Sequence, residues 1–355
     1  MKIAFVGEAV SGFGGMETVI KGVINAFQNK EQPDDCSMFF FCRNDKMDKQ
    51  WLENIDVNYS FSNQRISFFR KLKHVSAFSK WIKGYRPDVV ICIDVISCLL
   101  VNQARKKAGV NFKIFSWPHF SLDHKKHAEY IVYADRHLAI SSGIKKQMQM
   151  RGVSASDITL VYNPVSRKPD IIHAPENGEV TTFLYVGRMK FEGQKRIKDL
   201  LDGLARADGQ WKLHVIGDGS DFSKCKEYGK QLNIDANIIW HGWQADPWGL
   251  VKNKIKSVNA LLLTSSFEGF PMTLLEAQSY GIPCISSNCV TGPEDIIQNG
   301  INGYLYEPSD LNEFIGLLDK TISGDIIINR KNIPSTISDF YDEAYFDRIN
   351  SAILY

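Results

Sequence analysis

Short apolar runs recur along the chain, each too brief for a helix, each ended by glycine, proline or a charge, and most followed by a stretch with helical spacing. Lys2-Ile-Ala-Phe-Val6 reads as a first buried strand, and an amphipathic helix from about Met16 to Asn29 follows the turn Ser11-Gly-Phe-Gly-Gly15. Met38 to Cys42, Asp88 to Ile93, Phe112 to Trp117 and His137 to Ile140 continue the series. Helical stretches between most of these strands predict a parallel sheet covered on both faces. The polar, proline-bearing segments 163–170 and 174–179 break the pattern and read as a linker. The alternation then starts again, with strands at Thr182 to Val186, Lys212 to Ile216, Asn237 to Gly242, Ala260 to Leu263, Pro283 to Ser287 and Asn302 to Tyr306. An aromatic amphipathic helix from Phe340 to Leu354 closes the chain.

A chain of 355 residues exceeds one ordinary core, and two domains of roughly 170 to 180 residues are expected. Their bounds are set at 1–168 and 180–338, with 339–355 as a terminal helix crossing back to the first domain. No apolar run approaches the roughly 20 residues of a membrane span, and the start Met1-Lys-Ile-Ala-Phe-Val-Gly7 lacks a signal-peptide core, so a cytoplasmic location is expected. Seven cysteines without a CxxC pair fit reduced thiols. The net charge of +2 divides unevenly: residues 1–170 hold 25 Lys and Arg against 16 Asp and Glu, a net +9, and the remainder 17 against 24, a net −7. An anionic partner for the first half follows, whether a lipid surface, a phosphorylated acceptor or nucleic acid. Within it, Gln64 to Gly84 combines aromatic and basic residues in a form suited either to an anionic bilayer or to a helix packed on the sheet with a solvated basic face.

Candidate chemistry gathers after the strand ends. In Thr264-Ser-Ser-Phe-Glu-Gly-Phe-Pro-Met-Thr-Leu-Leu-Glu-Ala-Gln-Ser-Tyr-Gly281, Pro271 suits the first helical position and Gly281 a left-handed cap. The N–H groups of Met272 and Thr273 are then free at the helix start, an anion site, while Glu268 and Glu276 can face the same cavity. A ligand anionic in one part and rich in hydroxyls in another, such as a nucleotide-sugar, suits this arrangement; an ordinary strand-helix unit with two solvated acids is the alternative. Gly187-Arg188 with Lys190, Lys195 and Arg196 offers cations to a diphosphate, or else forms a solvated basic loop. The glycine-rich first loop lets backbone approach a ligand, but Glu17 stands where GxGxxG needs its third glycine. His119, just beyond a strand, lies near the ligand-binding edge of a doubly wound sheet. Asp123, His124 and His127 have weak metal-site spacing, and no DxD pair is present.

Taken in order, Gly187-Arg188 with Lys195, Glu268-Gly-Phe-Pro-Met-Thr-Leu-Leu-Glu276, Gly281-Ile-Pro, Gly292-Pro-Glu-Asp and Asn302-Gly resemble the retaining glycosyltransferases with the E-x7-E motif. The resemblance spans nearly the whole chain. It implies the GT-B architecture, an α/β chain of two Rossmann-like doubly wound domains facing a cleft, the first for the acceptor and the second for the nucleotide-sugar. By resemblance, Arg188 and Lys195 bind the diphosphate with Gly14, Gly15, Met272 and Thr273, and Glu276 binds the ribose. Trp243 lies at the base, Gly269 and Phe270 in the loop touching the sugar, and Glu268 and His119 beside the reacting sugar. The Arg188 to Lys195 loop is longer than the usual pattern, and choosing Lys195 over Lys190 rests on the alignment of Leu200-Leu201.

The segments Ser116-Trp-Pro-His-Phe-Ser121 and Gly187-Arg-Met-Lys-Phe-Glu-Gly-Gln-Lys195 further resemble members that build bacterial surface glycolipid. That implies α-1,6 transfer of galactose from UDP-galactose to a glucose of the lipopolysaccharide core, by an enzyme peripheral to the cytoplasmic face of the inner membrane. No metal, cofactor or nucleic acid is implied. The alternatives are another UDP-sugar or glycan acceptor, a non-catalytic nucleotide-sugar-binding protein, and a nicotinamide-dependent oxidoreductase. Retention admits a Glu268 nucleophile; the family analogy favours attack from the leaving group's own face.

Overall fold

The computed structural model describes residues 1–10, 15–176 and 178–354. It divides into two compact units, residues 1–164 with 345–355, and residues 165–344. The first contains a fully parallel sheet of β1 (Lys2–Glu8), β2 (Asp35–Cys42), β3 (Asp56–Phe61), β4 (Val89–Cys92), β5 (Lys113–Ser116), β6 (Arg136–Ala139) and β7 (Ile158–Leu160), in the order β3-β2-β1-β4-β5-β6-β7. The parallel sheet of the second has β8 (Thr181–Val186), β9 (Trp211–Ile216), β10 (Ile238–Gly242), β11 (Ala260–Leu263), β12 (Cys284–Ser287) and β13 (Gly303–Tyr306), in the order β10-β9-β8-β11-β12-β13. The strand order reverses between β1 and β4, and again between β8 and β11. Ligands of such sheets bind beyond the carboxyl ends at these two places, where loops on either side diverge and leave a crevice.

Two strands had no apolar signature. β3 is an edge strand with only Ser60 fully enclosed, and β7 spans three residues, so neither needs the continuous apolar run of a central strand. The runs that were legible are enclosed on both faces, because helices return over them: α1 (Gly15–Gln28) buries Val19, Ile20, Val23, Ile24 and Phe27. In α2 (Ser67–Tyr85) the two readings of the basic aromatic stretch divide the helix between them. Val75, Phe78 and Ile82 are buried, with Phe78 edge-on to Phe39 at 4.9 Å, but Phe68 and Phe69 in the first turn are 64% and 53% exposed, beside exposed Ile66 and Leu72. α3 (Val95–Ala108) begins at Asp94, whose side chain accepts from Ser97 N, and α4 (Ser142–Met150) begins in the same way at Ser141.

In the second unit, α5 (Ile197–Arg206), α6 (Phe222–Gln231), α7 (Pro247–Leu250) and α8 (Met272–Ser279) connect the strands. Phe183, Tyr185, Leu200, Leu204, Leu213 and Phe314 belong to its core. The terminal helix, Asp342–Leu354, buries Tyr345, Ile349 and Ile353. Arg348 Nε donates to Val161 O at 3.1 Å and Lys30 Nζ to Asn350 Oδ1 at 2.5 Å, so the segment after Ala344 packs with the first unit.

At the carboxyl end of the second sheet, backbone meets backbone. Gly217 has φ +141°, and a Cβ built there would lie 1.9 Å from Gly187 O; one on Gly219 would lie 2.6 Å from Met189 O. Only glycine permits both the φ and the approach. Gly217→Ala is therefore expected to destabilise the second unit by about 1–3 kcal/mol and to displace Gly187-Arg188. Thermal unfolding checks this; an unchanged midpoint would show that the two loops can separate without cost.

Candidate functional site

The close approach of these loops sets where Arg188 stands. Gly187 N donates to Ile216 O at 3.0 Å, Met189 N to Asp218 O at 2.9 Å, and the Tyr185 hydroxyl to Arg188 O at 2.9 Å. The main chain of Arg188 is held on three sides, while its side chain is exposed and makes no hydrogen bond or ion pair among the described residues. The loop beyond it is tied to the one after β11. Thr264 Oγ1 donates to Lys195 O and Arg196 O, both at 3.1 Å, and Ser266 Oγ to Gly193 O at 2.6 Å. These bonds close the long Arg188 to Lys195 loop onto the switch point between β8 and β11.

Their consequence is an ion pair. Lys195 Nζ lies 2.6 Å from Glu268 Oε1, which also accepts from Ser265 Oγ at 2.6 Å, and Gln194 Nε2 is 3.4 Å from Oε2. Glu268 is only 6% exposed. Its main chain is fixed as well: Glu268 N donates to Val290 O at 3.2 Å, and Glu268 O accepts from Thr291 Oγ1. Lys190 takes another course, donating to Ser220 Oγ at 2.6 Å beside Asp221, so Lys195 is the lysine that reaches Glu268.

α8 starts one residue later than the spacing predicts. Pro271, with φ −77° and ψ 90°, is extended and precedes the helix instead of opening it. The N–H groups of Met272 and Thr273 still make no hydrogen bond among the described residues, and Leu274 N is the first to close a turn, onto Pro271 O at 3.0 Å. Gly292 (φ +104°) lets the following loop pack on Phe270 and Pro271. Phe270 itself is buried, with its ring 5.7 Å from that of Phe340.

Glu276 lies on α8 with a different partner. Trp248 Nε1 donates to Glu276 Oε2 at 2.9 Å, and the Trp248 ring stacks on Tyr280 at 5.4 Å. Burial raises the Glu276 carboxyl above its ordinary range, partly offset by the Trp248 hydrogen bond and by the charge of Lys168. Trp243, beyond β10, is 63% exposed. Trp248, Ser265, Gln194 and Thr291 were not singled out from the sequence. Only Trp248 had a usable signal, in Asp246-Pro247 before it: the Asp246 side chain caps the short helix by accepting from Gly249 N at 2.8 Å.

In the first unit, the rings of His119 and Trp117 meet edge to face at 4.3 Å. Both ring nitrogens of His119 and Trp117 Nε1 are buried without a hydrogen-bond partner among the described residues. Burial pushes the His119 pKa down to about 3, so the ring is neutral near pH 7. Orphaned buried polar atoms are costly, and these would gain from a polar ligand. Gly15 is exposed at the start of α1, and Gly14 lies outside the described residues. Among the described residues no group of three His, Cys, Asp or Glu side chains is placed to hold a metal. Asp123 is engaged by Arg151 at 2.7 Å and Gln147 at 2.9 Å.

Two doubly wound parallel sheets, with a cradle of this kind at the switch point of the second, are the arrangement of a GT-B glycosyltransferase, and comparison with known proteins agrees. Residues 13–169 match Glycosyltransferase Family 4, and residues 167–335 match Glycosyl transferases group 1. The chain belongs to these glycosyltransferases and is an enzyme of that class. It is 63% identical to the lipopolysaccharide 1,6-galactosyltransferase of Escherichia coli K12, over 100% of this chain and 98% of that one. It superimposes on the apo form of the lipopolysaccharide outer core galactosyltransferase WaaB with a TM-score of 0.96, at 63% identity, covering 100% and 99% of the two chains. The Anabaena protein Alr3699/HepE in complex with UDP shares the fold, with a TM-score of 0.79 at 17% identity and full coverage of both chains.

The ion pair makes a stability prediction. Lys195→Met leaves the Glu268 charge enclosed without its counterion, a change that typically costs about 3 kcal/mol or more. Adding Glu268→Gln should recover most of that loss, because Ser265 can still donate to the amide oxygen. Denaturant unfolding of the two single variants and the double variant measures the coupling; simple additivity would mean that the pair carries no net interaction.

Proposed function

We propose that the chain transfers galactose from UDP-galactose to a glucose of the lipopolysaccharide core, forming an α-1,6 linkage with retention of configuration. The observation that carries this reading is the gathering of Arg188, the Lys195–Glu268 pair and the free N–H groups of Met272 and Thr273 around one switch point. The substrates are inferred from the relatives of 63% identity. Arg188 and Lys195 hold the diphosphate, Lys195 using one of its three N–H donors on Glu268 and keeping two for phosphate oxygens. The start of α8 adds two main-chain donors. Together they stabilise negative charge as the sugar–phosphate bond breaks, without need of a metal. The donor belongs to residues 180–338 and the acceptor to residues 1–168.

Glu276 binds ribose hydroxyls, Trp243 the base, and the Gly269–Phe270 main chain the sugar. His119, neutral and with both nitrogens unpartnered among the described residues, is assigned to the sugar. Glu268 lies beside the reacting carbon, where its charge, fixed by Lys195 and Ser265, stabilises an oxocarbenium-like centre. A carboxylate so tied is better suited to electrostatic support than to covalent attack, and this favours entry of the acceptor from the leaving group's own face. Gly14 and Gly15 are assigned to phosphate binding through their main chain.

The test is steady-state transfer with a panel of UDP-sugars in excess chelator. UDP-galactose should be used best and activity should persist; complete loss restored by added metal would sink the metal-free reading. Glu268→Ala should lower kcat by on the order of 100- to 1000-fold with UDP affinity nearly kept, whereas Glu276→Ala should act chiefly on KM. The reverse pattern would exchange their roles.

The acceptor is a glycolipid, and the enzyme is proposed to work at the anionic cytoplasmic face of the inner membrane. No helix among the described residues is long and apolar enough to cross it. What supports peripheral binding is the net +9 of residues 1–170 and the exposed Phe68, Phe69 and Leu72 beside Arg65, Lys71 and Lys73. Vesicle cosedimentation should show affinity for anionic over neutral lipid that falls with salt, as charges are screened beyond a Debye length of about 8 Å. Equal, salt-insensitive binding to both would refute an electrostatic origin.

A further inference from the structure

The loop carrying Trp243 is fastened at both of its ends by side chains of which the preceding mechanism uses Glu276 alone. At the far end are the Asp246 cap and the Trp248–Glu276 hydrogen bond. At the near end β10 is irregular: its register against β9 shifts between Trp240 and Gly242, and Gly242 takes φ +68°. In that irregular step stands His241. Its Nε2 lies 2.9 Å from Nδ1 of His214 on β9, and the two rings stack at 5.2 Å with an interplanar angle of 11°. Gln244 Nε2 turns back to His241 O at 2.9 Å, and Gly217 N donates to Gly242 O at 2.8 Å. The exposed Trp243 sits between these bonds.

A hydrogen bond between two imidazoles requires one proton between the facing nitrogens, so one ring must donate and the other accept. Two neutral rings meet this need, whereas a charge on both would drive the rings apart. Burial lowers the pKa of each, His214 to about 4, and the charged groups acting on them, Lys212 on β9 and Lys254 in the segment after α7, push the same way. The pair is therefore neutral and closed near pH 7. An exposed tryptophan on a loose loop would lose both side-chain and loop entropy on stacking against a ligand; on a loop already fixed only the side-chain loss remains.

We infer that the His214–His241 hydrogen bond is a positioning element for the nucleotide base, holding the Trp243 loop in the place where a planar uracil can stack on it. The inference rests on Trp243 being the base platform, and the experiment separates the two ideas. His214→Phe keeps the volume and the stacking on His241 but removes the bond. It should weaken UDP binding about tenfold, a part of what base–aromatic stacking contributes, and raise the donor KM with kcat at saturation unchanged. Affinity for inorganic pyrophosphate, which has no base, should not move. His214→Asn, whose amide can restore a donor or acceptor near the Nδ1 position, should recover UDP binding, and His241→Phe should reproduce the loss independently. If Trp243→Ala leaves UDP affinity unaltered, the base platform is elsewhere and the inference falls with it. If Trp243→Ala weakens UDP while His214→Phe does not, the platform stands and the positioning role is overturned. Equal loss for UDP and pyrophosphate in His214→Phe would reduce the pair to general support of the fold.

Discussion

A buried carboxylate has to be held by something, and in the second unit the need of Glu268 for a counterion organises much of what surrounds it. Lys195 supplies the charge, but it does so from the end of a loop that must be bent back across β8 and tied down by Thr264 and Ser266 before the ammonium can arrive. The same ties bring the loop after Arg188 to the switch point. Glycine contacts at 187, 217 and 219 draw the strand ends together closely enough for this to happen. The result is a polar cluster in which each group is oriented by a neighbour, with Arg188 left over as a cation unpaired among the described residues. Such clusters rigidify a site because breaking any one bond strands the others in a low-dielectric setting.

Much of the fold was legible because its central strands have to be apolar on both faces, and Met38 to Cys42 or Ala260 to Leu263 satisfy that requirement almost without interruption. The edge strands Asp56–Phe61 and Ile158–Leu160 escaped for the same reason in reverse, since solvent on one side relaxes the pattern. The basic aromatic stretch could not be decided from its residues, because one helix serves both readings: its later turns anchor on Phe39, and its first turn stands in water.

The site was legible in type more than in connection. Both glutamates, Arg188 and the helix start at Met272 could be read from their places after strands. Which lysine reaches Glu268 depends on hydrogen bonds from Thr264 and Ser266, some seventy positions distant in sequence, and no local spacing encodes them. Trp248 and the His214–His241 pair escaped for the same reason, their partners lying 28 and 27 positions away. Phe270 shows the opposite limit. Its position in the motif is local, yet its side chain turns inward to Phe340, a contact that only the packed core could dictate.

The return of the chain's last segment to the first unit has a consequence for synthesis. Residues 165–344 are contiguous, so the second unit can complete its core as soon as it has left the ribosome. The first unit, although made earlier, lacks Tyr345, Ile349 and Ile353 and the Arg348 bond to Val161 until the final helix emerges. Its apolar receiving surface stays open to water throughout translation of the intervening residues. A chain cut just after Ala344 would therefore keep the second unit whole and leave the first without the burial of Tyr345, Ile349 and Ile353.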